Sequence, residues 1–256
     1  MKINYPREKA FSGYSVRVDR LPYTLRDDEK ASLKSIFETV MVNLAFYARD
    51  TFVERLFETE YLIRIYDSTG EVVGFGNAAN RDCGGIEVLH IMSIYVLPDF
   101  RGYRATDRAL RMVVVDRAIE RDYCRHQPMY FSASTVNLQL LYTSLKCYTI
   151  WPDLLYESPV PEDVRRIAEG ANSHYPKPGD KLFQVKITEE FAGLRDGYGH
   201  DTKNIEFNQR FRALADPGKY ELVFLVGRID ARQLSNYLMS GGNLRKRCAP
   251  EEVLTV

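Results

Sequence analysis

Apolar residues at Leu33, Ile36, Phe37, Val40, Met41 and Leu44 recur every three or four positions. That spacing gives a helix one buried stripe, so an amphipathic helix is expected over residues 27–49. A second, short helix is expected at 51–57. Two strand-like runs follow, 61–66 and 71–76, and the Asp67-Ser68-Thr69-Gly70 turn between them predicts a hairpin with an exposed tip. The β-rich run 86–97 meets Pro98. Beyond Gly102 the pattern turns helical at Ala109, Leu110, Val113, Val114, Arg117 and Ala118. Residues 128–133 read as a strand and 136–146 as a short helix, ending before Trp151-Pro152. Helices, hairpin, strand, helix, strand, helix is an order that implies a mixed α/β sheet.

After residue 155 the texture changes. The run Ser158-Pro159-Val160-Pro161 leads to a helix at 162–169, and Tyr175-Pro176-Lys177-Pro178-Gly179-Asp180 is turn-rich. A strand is expected at 183–187, a loop at 193–200, a helix at 204–214 and a buried strand in the apolar run 221–226. The last dozen residues, with Arg245-Lys246-Arg247, read as a basic tail. The expected organisation is a core at 1–155 and an elaboration at 156–256 that returns a strand near 220–227 to the same sheet.

Composition narrows the class. With 45% hydrophobic and 12% aromatic residues, the chain resembles ordinary globular proteins. Its 35 basic and 35 acidic side chains cancel, which removes any global pull towards nucleic acid or a membrane. The charged start, without an apolar stretch, leads us to expect a cytoplasmic protein. Cys83, Cys124, Cys147 and Cys248 form no C-x-x-C pair, and His174, His200 and Asp201 lack metal-type spacing, so no metal is expected.

The chemistry concentrates in Pro98-Asp99-Phe100-Arg101-Gly102-Tyr103-Arg104-Ala105-Thr106, a tight loop opening a helix. The first helical N–H groups lack intrahelical partners and carry partial positive charge, so such a terminus accepts phosphate. Gly102 permits close backbone approach, while Arg101, Arg104 and Arg108 add positive charge. A solvated basic helix start is the plainer alternative.

The run Ile94-Tyr95-Val96-Leu97-Pro98-Asp99-Phe100-Arg101-Gly102-Tyr103 resembles the signature strand and pyrophosphate loop of the GNAT acyltransferase superfamily. The resemblance covers about residues 33–151 and implies the family's fold, an α/β (α+β) class with a mixed, mostly antiparallel central sheet flanked by helices. It implies that Ile94 and Val96 pair with pantetheine, and that Arg101, Gly102, Tyr103, Arg104, Ala105 and Thr106 hold the diphosphate of acetyl-CoA or another acyl-CoA. The family's loop glycine falls on Arg104 and its final Gly/Ala on Thr106.

The stretch from Asn137 to Lys146 resembles the family's Asn-to-Tyr helix. It implies a ligand-binding role for Asn137 and makes Tyr142 the general acid for the departing thiolate. Lys146-Cys147 replaces the usual Gly-Phe. Glu87 falls where family members carry a base, with His90 the alternative; alternation puts the two on opposite faces unless a bulge intervenes.

The expected activity is direct transfer of an acetyl or other acyl group to a small-molecule or peptide amine. Two alternatives stay open. One is a GNAT-fold transferase using a long-chain acyl, acyl-carrier-protein or aminoacyl-tRNA donor, which is also the one route by which tRNA would enter. The other is a binding module without catalysis. The sequence leaves open whether the chain is a monomer or a dimer.

Overall fold

A computed structural model describes residues 3–40, 57, 59–100, 105–120, 128–135, 137–145, 148–175, 177–187 and 201–229. The expected helix at 51–57, the loop at 193–200, the basic tail and residues 101–104 of the anion loop lie outside these or almost entirely so. The elements are mixed α/β and form two compact units, residues 1–80 with 89–122 and residues 81–88 with 123–256.

In the first unit, strands β1 (Arg7–Phe11), β2 (Tyr14–Arg20), β3 (Tyr61–Asp67), β4 (Val72–Cys83) and β5 (Ile86–Val96) lie in sequence order, with residues 81–88 of the β4–β5 hairpin counted in the second unit. Strands β1 to β4 pair antiparallel. The pair β1 and β2 was not expected. In β1 the charged run Arg-Glu-Lys leaves three central residues exposed and hides any alternation. In β2 the alternating Tyr14, Val16 and Val18 are all buried, so that signal was present.

Helix α1 (Asp27–Val40) buries Leu33, Ile36 and Phe37, as its spacing predicts. Phe37 meets Tyr95 of β5 edge-on at 5.9 Å. Helix α2 (Ala105–Glu120) is buried on most of its surface. Its buried Asp116 pairs with Arg7. A charged knot tightens the unit: Arg64, 2% exposed on β3, donates to Asp19 Oδ2 at 2.8 Å and to Glu29 of α1.

In the second unit β6 (Met129–Thr135), helix α3 (Leu138–Leu145) and β7 (Thr149–Trp151) precede helix α4 (Glu162–Ala171). Short β8 (Lys177–Pro178) and β9 (Gln184–Lys186), helix α5 (Ile205–Leu214) and β10 (Glu221–Ile229) complete it. The apolar run at 221–226 is the central strand, buried from Leu222 to Gly227. It pairs antiparallel with β6, β7 and β9.

Alternation divides this sheet into two faces. Leu222, Phe224 and Val226 join Tyr130, Trp151 and the α4 residues Val164 and Ile167 on one face. Val223 and Leu225 join Leu138, Leu141, Phe207 and Phe211 on the other, so that α3 and α5 cover it. Trp151 is 5% exposed, a packing residue whose Nε1–H donates to Pro159 O at 3.0 Å.

Candidate functional site

Strand β5 carries four of the candidate residues, Glu87, His90, Ile94 and Val96, and its shape decides where they point. Gly84 and Gly85 have φ of 64° and 77°, the two positive values of a type I′ turn. Such a turn sets Cys83 opposite Ile86. Further along, Leu97 N–H donates to Val73 O at 2.9 Å. Leu97 lies eleven residues past Ile86, whereas Val73 lies ten before Cys83. β5 therefore holds one extra residue, a β-bulge.

Asn77 of β4 locates it. Its amide nitrogen lies 3.8 Å from Met92 Sδ, and its Oδ1 accepts the Ser93 hydroxyl. Two consecutive residues of β5 thus share the face that one residue of β4 occupies.

The bulge lies beyond both base candidates, so Glu87 and His90 stay on opposite faces. Ile86 and Val88 pack on the cluster with Tyr130 and Trp151. Half-buried Glu87 therefore points to the reverse face, the one that α3 and α5 cover in the second unit. His90 is 5% exposed and lies on the Val88 side. Beyond the bulge Ile94 is half-buried and Val96 buried. Gly74 and Gly76 press the strand closely: a Cβ on either would come within 2.6 Å of Tyr95 O or 2.9 Å of Ser93 O.

After Val96 the chain makes a 3-10 turn at Pro98–Phe100, and α2 opens at buried Ala105 and half-buried Thr106. Arg101, Gly102, Tyr103 and Arg104 lie outside the described residues. Arg108, in the first turn of α2, rests on two aromatic rings. Its guanidinium sits 4.8 Å from the Phe11 ring centre and 5.8 Å from that of Tyr14, where a cation over an aromatic face is favourable. Asp107, an acidic residue in the first turn of α2, is neutralised by Arg111 at 2.8 Å.

Two expected residues meet on α3. Asn137 caps the helix: its Oδ1 accepts the Leu140 N–H at 3.0 Å, and its own N–H donates to Thr135 Oγ1 at 2.9 Å. Tyr142 is half-buried, with its ring 5.1 Å from that of Phe207 on α5. Tyr142 and Glu87 thus belong to the same sheet face of the second unit.

Phe207 escaped sequence reasoning, although Phe207 and Phe211 at helical spacing behind an Asn cap signal a buried helix face. Cys83 is a buried free thiol, pushed up to about 11 by burial, and its place is in the core. A groove of about 370 Å³ at Lys177, Lys186 and Lys219 contains none of the expected site residues. There Lys186 hydrogen-bonds Asp180 at 2.7 Å and holds that carboxyl below its usual range. Among the described residues no His, Cys, Asp or Glu cluster converges as metal ligands would, and no helix is long and apolar enough to cross a membrane.

No family model matches the sequence, and no curated protein matches it. Among solved structures the chain is similar to N-acetyltransferases of the GNAT family. An aminoglycoside N-acetyltransferase, AAC(6')-Iy, in complex with CoA is 16% identical, matching 52% of this chain and 83% of that one at a TM-score of 0.37. A GNAT family N-acetyltransferase, YhbS, from Escherichia coli in complex with CoA is 15% identical over 51% of this chain and 66% of that one, at 0.35. A ribosomal-protein-alanine N-acetyltransferase from Brucella melitensis biovar Abortus 2308 is 17% identical over 51% and 88%, at 0.37.

Proposed function

We propose that this protein transfers an acyl group from an acyl-CoA thioester to an amine by direct attack. The observation that carries the reading is the bulge at Met92 and Ser93, in a strand that runs on to a tight turn and a helix N-terminus. A bulge takes main-chain groups out of the ladder. An extended amide-bearing arm such as pantetheine can then pair with them as an added strand would. Ile94 and Val96, just past the bulge, are the residues this reading assigns to that pairing. The N–H groups at Ala105 and Thr106, with the loop at Arg101, Gly102, Tyr103 and Arg104, receive the diphosphate.

In the transfer, the amine nitrogen bonds to the thioester carbonyl carbon and the C–S bond breaks. Glu87, directly or through a water, takes the proton that the amine loses. Tyr142 gives its proton to the departing thiolate and recovers one from solvent. Holding donor and amine together supplies much of the acceleration.

The test is mass spectrometry after incubation with acetyl-CoA and a panel of an aminoglycoside, a polyamine and a peptide with a free N-terminal amine. Acetylated product is expected, with turnover lowered at least about tenfold by Tyr142→Phe. Acetyl-CoA left intact across the panel, with longer acyl donors equally inert, would sink the proposal.

A further inference from the structure

We infer that Phe207 is a positioning residue for Tyr142, so that the C-terminal elaboration orients the general acid of the transfer. The inference rests on the reading of Tyr142 given above. Tyr142 sits at the edge of its cluster, half-buried, and its hydroxyl moves on an arc as the side-chain torsions turn. The Phe207 ring, 1% exposed, lies against it at 5.1 Å and an interplanar angle of 58°. That contact blocks one side of the arc and narrows the positions open to the hydroxyl.

The backbone at Phe207 is itself fixed. Its N–H donates to Asn204 Oδ1 at 3.0 Å, and Asn204 N–H in turn donates to Thr202 Oγ1 at 3.1 Å. Thr202 Oγ1 donates to Asn208 Oδ1 at 2.8 Å, and Asn208 Nδ2 donates to Thr202 O at 2.9 Å. Gln139 of α3, three residues before Tyr142, donates to Asp201 O at 3.0 Å, which ties α3 to the segment leading into α5. Packing alone does not require this lock at Phe207. Phe211, one turn further on α5, is equally buried in the same cluster.

Phe211 therefore supplies the control. Full-length Phe207→Leu and Phe211→Leu variants remove the same ring from the same cluster. They are compared by thermal melting and by steady-state kinetics with acetyl-CoA and the panel amine turned over fastest. The expected result is a similar loss of stability in both. Phe207→Leu should lower kcat about tenfold or more and shift KM for acetyl-CoA less than about twofold, while Phe211→Leu leaves kcat near the parent value. Adding Phe207→Leu to Tyr142→Phe should cost no further kcat, because the two act as one unit.

Equal kcat for the two leucine variants, or independent effects in the double variant, overturns the positioning role and leaves the acid assignment standing. An unchanged kcat in Tyr142→Phe alone removes the acid assignment, and the positioning role with it.

Discussion

Replacing Gly74 by alanine tests the geometry of the strand on which the functional reading depends. An added Cβ would lie 2.6 Å from Tyr95 O and 2.7 Å from Val96 Cγ2. Ordinary contact begins at 3.4 Å, so the carbonyl must retreat by the difference, about 0.8 Å. Tyr95 O is main chain, so no rotamer change relieves it, and the whole end of β5 has to move.

Overpacking of this kind costs about 1–3 kcal/mol, or a fall in Tm of about 2–4 °C per kcal/mol for a chain of this size. The same shift displaces Ile94 and Val96, so KM for acetyl-CoA should rise. Gly218→Ala is the control: its Cβ would meet only a side-chain oxygen, Asp216 Oδ1, at 3.1 Å. Urea unfolding and donor kinetics on both variants decide the matter. A Gly74→Ala protein as stable as its parent, with unchanged donor KM, refutes the close approach.

Arg64→Met should destabilise the first unit by about 1–3 kcal/mol, because Asp19, 4% exposed, loses its buried cation and keeps only the more exposed Arg17 at 3.1 Å; Asp19→Asn in the same chain should recover part of the loss in urea melts. Burial alone would raise the Glu60 carboxyl, but hydrogen bonds from the Asn80 main chain and amide, with the Arg20 charge, hold it below the ordinary glutamate range. The folded state then binds this proton less readily than the unfolded chain. Its contribution to stability is present above about pH 4.3 and is lost as pH falls through the lower folded value. Glu60→Gln should flatten the acid side of a plot of urea midpoint against pH, and an unchanged acid slope counts against the network. Asn137→Ala should cost about 1 kcal/mol by removing the α3 cap, with Asn137→Asp retaining most of it in the same melts.

Elements with a strong period were legible in the sequence. The stripe Leu33, Ile36, Phe37 became the buried face of α1, and the run from Leu222 to Gly227 became the centre of a sheet. Turn chemistry served as well at Gly70, whose φ of 88° closes the β3–β4 hairpin. What escaped depended on partners distant in sequence. Strand β1 is made mostly of charged residues, and its identity as a strand comes from its pairing with β2. The seat of the Arg108 guanidinium over Phe11 and Tyr14 likewise comes from strands far away in the sequence. Asn137 belongs to a helix start by local rule, since an Asn just before an apolar helical run is a cap signal. The bulge at Met92 and Ser93 has no mark of its own in the sequence. It emerges from the mismatch between the type I′ turn at one end of the hairpin and the Leu97 to Val73 hydrogen bond at the other.

The central claim is that an acyl-CoA lies along β5 and ends at the opening of α2. Crystals grown with CoA test it most directly. The account predicts extended density paired with main-chain groups between Ile94 and Val96, and a diphosphate at the N–H groups of Ala105 and Thr106. A well-ordered strand and helix start with no ligand density at saturating CoA, or CoA bound elsewhere on the molecule, would contradict it.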